Sequence, residues 1–227
     1  MKISLVFLTR NEIEALPHVF PLVQRDLFED VFAVDGQSTD GTAEFFEQNG
    51  VPVIVQKVRG RSEAFRIAME TAKGDAVVFF SPDGNEDAKD LGRFREYLEQ
   101  GSDIVIASRM MKGAWNEEDG QILRWRKWAN NAFNLLANLF FRRSGPYITD
   151  SINGYRAITK KAFAELGIDG HGYTVEYQMT IRAFKKCQRM MEFPTHELPR
   201  AGGHSQAKSI PTGIAFVKMF LHELLRR

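Results

Sequence analysis

Asp83 and Asn85 lie two residues apart just beyond a five-residue apolar run, in the stretch AVVFFSPDGNED at 76–87. A carboxylate and an amide oxygen are hard ligands, suited to a divalent cation bridging a diphosphate. Other polar groups follow other apolar runs: Thr9, Asn11 and Glu12 after the first, Asp35 after the second, Arg61 after the third. Acids so placed can hold a base or ribose, and a cation can hold a diphosphate. The residues at 81–84 equally make a Pro-Asp-Gly turn whose Asp83 caps a helix starting near Ala88.

The elements that would position these groups alternate regularly. Ile3 to Leu8, Val31 to Asp35, Val51 to Gln56 and Ala76 to Phe80 read as short buried strands. Helical patterns separate them: one to about Phe28 interrupted by Pro17 and Pro21, then Ala43–Gln48 and Glu63–Lys73. Strand, loop and helix recurring through the first hundred or so residues predict an α/β fold with a mostly parallel central sheet flanked by helices. Ligands of such sheets bind at the carboxyl ends of the strands, where all of these polar groups fall. Neither GxGxxG after the first strand nor GxxxxGK[ST] occurs, so dinucleotide and P-loop readings lack their fingerprints.

The 227 residues hold 30 Lys+Arg against 29 Asp+Glu, a net charge of +1 that argues against a nucleic-acid binder. Charge is uneven along the chain. Gln121 to Arg143 carries Arg124, Arg126, Lys127, Arg142 and Arg143 with no acid, and Glu223 is the only acid after Pro199. Such segments suit a surface facing anionic groups. The single Cys187 fits a reducing compartment, no amino-terminal signal is visible, and no window of 18 apolar residues spans a membrane.

Several stretches together resemble one family. VDGQSTDGT at 34–42 is similar to the VDDGSTDGT loop of the inverting family 2 glycosyltransferases of GT-A fold (Rossmann-like nucleotide-diphospho-sugar transferases), and FLTRNE at 7–12 to their PTYNE turn. Residues 60–87 resemble their GKGAA…ATGDYVVFMDADLQ block, IASR at 106–109 their GSR, and DSINGYRAITKKAFAEL at 150–166 their D-x-x-x-G-[FY]-R element. Arg200 to Ser205 resembles the R-x-x-G-x-S segment of the dolichyl-phosphate mannose synthase branch. The matches run in order over about residues 3–208. The resemblance implies a catalytic domain over 1–208, with a nucleotide-sugar half at 1–109 and an acceptor half at 110–208, and leaves 209–227 as an amphipathic carboxyl-terminal helix.

It also implies roles. Thr9, Asn11, Glu12, Asp35, Arg61 and Asp83 would bind the nucleotide, Asp83 and Asn85 a Mg²⁺ or Mn²⁺ ion, and Asp83, Arg109 and Arg200 would carry catalysis. Two departures bear on this. Gly36 stands for the second acid of VDD, and Ser81 for the first acid of DAD. A hydroxyl is a poorer ligand than a carboxylate for a hard cation, so Arg61 and Arg109 offsetting the leaving-group charge is the alternative to a metal.

An acceptor hydroxyl needs a general base, whereas a phosphate monoester is already anionic and needs cations. Arg126, Arg156, Arg200, Ser205 and Lys208 fall in segments resembling the family's acceptor-phosphate elements, with Asn130 in place of a serine beyond Arg126. Glu176 in YTVEYQM falls near a catalytic acid of hydroxyl-glycosylating relatives, yet its helical surroundings equally suit pairing with Arg182 or another basic group. His171, His196 and His204 show no metal-ligand spacing.

Leu123–Arg143 and Ile210–Arg227 read as basic amphipathic helices that can lie in a bilayer interface or pack as core or dimer contacts. In the first, Asn130, Asn134 and Asn138 form a polar stripe. The expectation is a glycosyltransferase moving a hexose from a GDP- or UDP-sugar to a polyprenyl phosphate, cytoplasmic and peripherally membrane-associated, with a membrane-anchored partner or a homodimer as the candidate assemblies. The alternatives are a saccharide hydroxyl acceptor with Glu176 as base, or a catalytically silent nucleotide-sugar-binding homologue.

Overall fold

The computed structural model describes residues 1–202 and 209–226. Among these residues seven strands form one sheet: β1 (Ile3–Thr9), β2 (Asp30–Asp35), β3 (Val53–Val55), β4 (Ala76–Phe80), β5 (Ile104–Ser108), β6 (Arg156–Thr159) and β7 (Met190–Pro194). Their order is β3-β2-β1-β4-β6-β5-β7. Pairings are parallel except around β6, which runs antiparallel to both neighbours. All residues of β1, β4 and β5 are buried, as continuous apolar runs in a sheet covered on both faces require.

Eight α-helices accompany the sheet among the described residues: α1 (Leu16–Val19), α2 (Thr42–Gln48), α3 (Arg61–Thr71), α4 (Leu91–Glu99), α5 (Trp125–Phe141), α6 (Lys160–Leu166), α7 (Val175–Lys185) and α8 (Ser209–Leu225). The helix expected to reach Phe28 is only α1 followed by two 3₁₀ turns, because Pro17 and Pro21 lack the N–H a longer helix needs. One core layer gathers Phe7, Phe20, Phe46 and Phe80 on one face of the sheet, and the other packs Phe65 against Phe79 on the opposite face.

Helix α5 carries apolar side chains on both faces, with Ala137 and Phe141 buried beside two asparagines. Asn134 and Asn138 are buried and serve the backbone at 148–151: Asn138 Nδ2 donates to Ile148 O at 2.8 Å, Ile148 N to Asn138 Oδ1 at 2.9 Å, and Ser151 N to Asn134 Oδ1 at 2.9 Å. The polar stripe therefore faces inward, and Trp125, Trp128, Leu135 and Leu139 face solvent. Helix α8 packs on α5 through Phe133–Phe216 and Phe140–Phe220 ring contacts and exposes Ile214, Val217, Leu221 and Leu224 at helical spacing. Among the described residues no helix is long and apolar enough to cross a membrane.

Candidate active site

Two clefts open at the carboxyl ends of the strands. The strand-end cleft, about 390 Å³, is lined by Thr9, Arg10, Glu12, Gly36, Gln56, Arg59 and Gly60 among others. The helix-side cleft, about 350 Å³, is lined by Glu86, Arg109, Glu117, Arg126, Asn130 and Glu197, with Trp125, Phe133 and Phe216 from α5 and α8. Five residues line both: Arg61, Ser81, Asp83, Tyr173 and Arg200. The two clefts thus share a wall that includes Asp83.

The turn after β4 is built to hold Asp83 there. Its Oδ1 accepts from Asn85 N at 2.9 Å and its Oδ2 from Arg200 Nη2 at 2.7 Å. The segment bearing Arg200 is tied to the same turn by Leu198 N to Asn85 O at 2.9 Å and Ala201 N to Asp83 O at 3.0 Å. Gly84 permits this approach: its φ is +92°, and a Cβ would lie 2.7 Å from the Ala201 backbone N. The cap expected of Asp83 belongs to Asp87, whose side chain accepts from Lys89 N.

Arg200 Nη1 also lies 3.7 Å from Glu12 Oε1, so one guanidinium stands between two carboxylates. Burial, with Asp83 nearby, pushes Glu12 up to about 7. Thr9 Oγ1, Glu12 Oε2 and Asn85 Oδ1 are buried without hydrogen-bond partners among the described residues. Asn85 Nδ2 donates to Leu198 O and its backbone N–H to Asp83 Oδ1, so the unpartnered amide oxygen belongs to the same turn as the Asp83 carboxylate. A carboxylate next to an unpartnered amide oxygen is a donor set that fits a hard divalent cation. Asp169, His222 and Glu223 also converge, but Arg182, Lys185 and Arg226 already neutralise both carboxylates.

Arg61 and Glu176 close the floor. Arg61 Nε donates to Glu176, and the glutamate is buried. Glu176 is therefore matched by Arg61, whereas Arg182 pairs with Asp169 and Glu223. The guanidinium passes directly over Gly154, where a Cβ would sit 1.9 Å from Arg61 Nη2. Gly154→Ala is expected to displace Arg61 and cost about 1–3 kcal/mol, seen as a lower midpoint in chemical denaturation.

Several expected site residues have other work. Asp35 is fully buried, lines neither cleft, and accepts from Ser38 N at 2.8 Å and from Ser38 Oγ, so it staples its own loop. Asn11 likewise accepts from Thr39 N at 2.9 Å and lines neither cleft. Arg109 lines the helix-side cleft with its whole fork committed: Nε and Nη2 to Asp150 at 2.8 and 3.1 Å, and Nη1 to Glu197 at 3.0 Å. Each of its three nitrogens already donates to a carboxylate, so it is held in place as part of the cleft wall. Arg156 is inaccessible, donating to Asn153 O, Glu176 O and Ser151 O, and burial pulls it down to about 10. It braces β6 against α7 and cannot reach an acceptor. Arg126 lines the helix-side cleft and pairs with Glu117 and Glu118. Ser205 and Lys208 lie outside the described residues.

The residues the sequence did not single out are mostly acids. Glu86 accepts from Ser81 N at 2.7 Å and faces the helix-side cleft, with burial and Asp83 raising it well above the usual carboxylate range. Glu197 gathers Arg109, Asn116 and the Glu117 N–H, and Asp150 anchors Arg109. Glu86 carried a signal, since it ends the singled-out PDGNE turn. Asp150 opens the stretch resembling the D-x-x-x-G-[FY]-R element, whereas Glu197 had no signal, because its partners are remote in sequence.

Glu192 in turn holds the Thr149 and Asp150 N–H groups at 2.7 and 2.9 Å. Burial, opposed by these hydrogen bonds, raises it from 4.5 to about 7. The folded chain then holds a proton there that the unfolded chain releases, so this stability is full below about pH 4.5 and is lost as pH rises through 7. Denaturation midpoints are expected to fall between pH 5 and 8, and to fall less in Glu192→Gln.

Against this geometry, the model of "Glycosyl transferase family 2" matches residues 4–167. The chain belongs to that family. As a family 2 glycosyltransferase it is 29% identical over 216 residues to Glycosyltransferase AglJ of Haloferax volcanii, covering 93% of this chain and 69% of that one. It is 28% identical over 233 residues to the undecaprenyl-phosphate mannosyltransferase of Micrococcus luteus, covering 96% and 93%. Among solved structures it resembles glucosyl-3-phosphoglycerate synthase from Mycobacterium tuberculosis in complex with Mn²⁺, uridine diphosphate and glucosyl-3-phosphoglycerate. That likeness has a TM-score of 0.73 at 20% identity over 98% of this chain and 80% of the other, and establishes the GT-A fold.

Proposed function

We propose that this family 2 glycosyltransferase moves a hexose from a nucleoside diphosphate sugar to a polyprenyl phosphate, with inversion, at the cytoplasmic face of a membrane. One observation carries the reading: two clefts share the Asp83 wall, and the second runs along two helices whose outward faces are apolar. The nucleoside diphosphate occupies the strand-end cleft, with Thr9 and Glu12 on its wall and Arg61 and Asp83 at its inner end. The lipid phosphate enters along α5 and α8, toward Arg126 and Arg200. The polyprenyl-phosphate mannosyltransferase among the relatives supports that acceptor class, and the Mn²⁺-bound neighbour supports a divalent cation.

Asp83 and Asn85 would hold that cation, Mg²⁺ or Mn²⁺, which when bound would neutralise the charge developing on the diphosphate. Arg200 has a further role. It is balanced between Glu12 and Asp83, and its Nη1 has no hydrogen-bond partner among the described residues, so it offers a donor to an incoming anion at the shared wall. Arg61 orients the same wall through Glu176. The acceptor phosphate attacks the anomeric carbon directly, and the sugar–phosphate bond opposite it breaks.

Glu176 is committed to Arg61, and a phosphate acceptor needs no general base. Glu176→Gln is expected to keep transfer to a short polyprenyl phosphate within about tenfold, against the 10²–10⁴-fold loss that removing a general base brings. A loss of that size, together with transfer by the unaltered enzyme to a saccharide hydroxyl, would replace this reading with the hydroxyl-acceptor one.

A further inference from the structure

The strand-end cleft contains a guanidinium to which neither the diphosphate nor the acceptor gives a role. Four arginines line it: Arg10, Arg59, Arg61 and Arg200. Arg59 Nε donates to Gln37 Oε1 at 2.8 Å, Arg61 Nε to Glu176, and Arg200 to Asp83. Arg10 alone among them has no partner among the described residues, and its Nε is buried. A buried N–H left unpaired costs free energy that an acceptor on a ligand would restore.

Its position says which part of a ligand that would be. Arg10 and Gly36 line only the strand-end cleft, whereas the residues at the diphosphate end, Arg61, Asp83 and Arg200, line both clefts. Arg10 is therefore not part of the shared wall, and it stands with Gly36 at the end of β2, on the side this reading leaves for the nucleoside. The side chain lies across Gly36, where a Cβ would be 3.2 Å from Arg10 Cβ and 3.3 Å from its Cδ. Residue 36 is where the resembling loop has its second acid. An aspartate there would sit against Arg10 and pair with it; the glycine removes both the bulk and the competing charge.

A planar guanidinium with free N–H groups recognises two adjacent acceptors better than one. Guanine offers such a pair, O6 and N7, while adenine sets an amino donor beside N7 and uracil presents O4 without a neighbouring acceptor. We propose that Arg10 reads the nucleobase of the donor and selects guanine. The inference rests on the strand-end cleft holding a nucleoside diphosphate.

The test is calorimetric titration of the protein with GDP, UDP and ADP in Mg²⁺, comparing the unaltered chain with R10A, R10K and G36D. Arg10 makes no hydrogen bond within the described protein, so its variants are expected to fold normally, which a thermal melt checks. GDP is expected to bind at least about tenfold more tightly than ADP or UDP, and R10A to lose that advantage with ADP unchanged. R10K keeps the charge and loses the fork, so it too is expected to lose the preference, and G36D is expected to do so by engaging Arg10. Equal weakening of all three nucleotides in R10A with recovery in R10K would make Arg10 a phosphate contact and overturn the inference. So would a preference for UDP or ADP, or a GDP preference surviving R10A. Binding of no nucleoside diphosphate would overturn the donor reading itself, and this inference with it.

Discussion

Asp83→Ala is expected to lower transfer by about 10²–10³-fold while leaving the chain folded. Asp83 is the carboxylate common to both clefts, and Ser81 offers no second one where the resembling motif has an acid. Its removal takes away the charged half of the Asp83–Asn85 oxygen pair and releases Arg200 from its shorter ion pair. The structural cost is small by comparison: the turn loses its acceptor for Asn85 N, worth about 1 kcal/mol. Asp83→Asn separates charge from shape. It retains an oxygen for the turn and is expected to lose nearly as much activity, with a melting temperature close to that of the unaltered protein. Turnover at saturating donor, with a thermal melt on the same samples, checks both, and activity within threefold in either variant would remove Asp83 from the mechanism.

The second large effect concerns the outward faces of α5 and α8. Leu139 is 69% and Leu221 50% exposed, and each belongs to an apolar stripe. Arg142, Arg143 and Lys218 are exposed close to the same faces. Burying a leucine side chain is worth about 1.5–3 kcal/mol, so the half of each that is exposed contributes about 1 kcal/mol on entering an interface. A glutamate there loses that and meets anionic lipid charge, at about a further 1 kcal/mol each. The double variant Leu139→Glu/Leu221→Glu is thus expected to lose about 100-fold or more in affinity for anionic vesicles in a flotation or sedimentation assay. Substitution at such exposed positions leaves folding stability within about 0.5 kcal/mol. Unchanged vesicle binding, or a monomer produced from a stable dimer, would assign the stripes to protein contacts.

The strands were legible because their signal is local. β4 occupies the apolar run Ala76–Phe80 residue for residue, and β1 and β2 differ from the expected strands by one residue at an end. The strand-end groups were legible for the same reason, as Thr9, Glu12, Arg61 and Asp83 all line the strand-end cleft. What sequence could not show is which polar group is consumed by its neighbours. Asp35 turns back onto Ser38, Arg156 disappears beneath Glu176, and Arg109 is held by residues 41 and 88 positions away. Residue type and strand-end position are the same for a ligand-binding acid and a loop staple; the difference is a rotamer. Helix α5 shows the converse. Its periodicity identified two faces but not which one met the protein, and Asn134 and Asn138 decide it because the backbone at 148–151 needs their amides.

The measurement that bears most directly on the account is the product formed from a short polyprenyl phosphate, the matching unphosphorylated polyprenol and a saccharide, each given with GDP- and UDP-hexoses and Mg²⁺ or Mn²⁺. Mass spectrometry reads which acceptor gains a hexose, and the anomeric coupling in NMR reads the stereochemistry. The account predicts hexosyl phosphate lipid of inverted configuration, with no product from the polyprenol. Transfer to the saccharide or the polyprenol without transfer to the lipid phosphate, or retention of configuration, would contradict it.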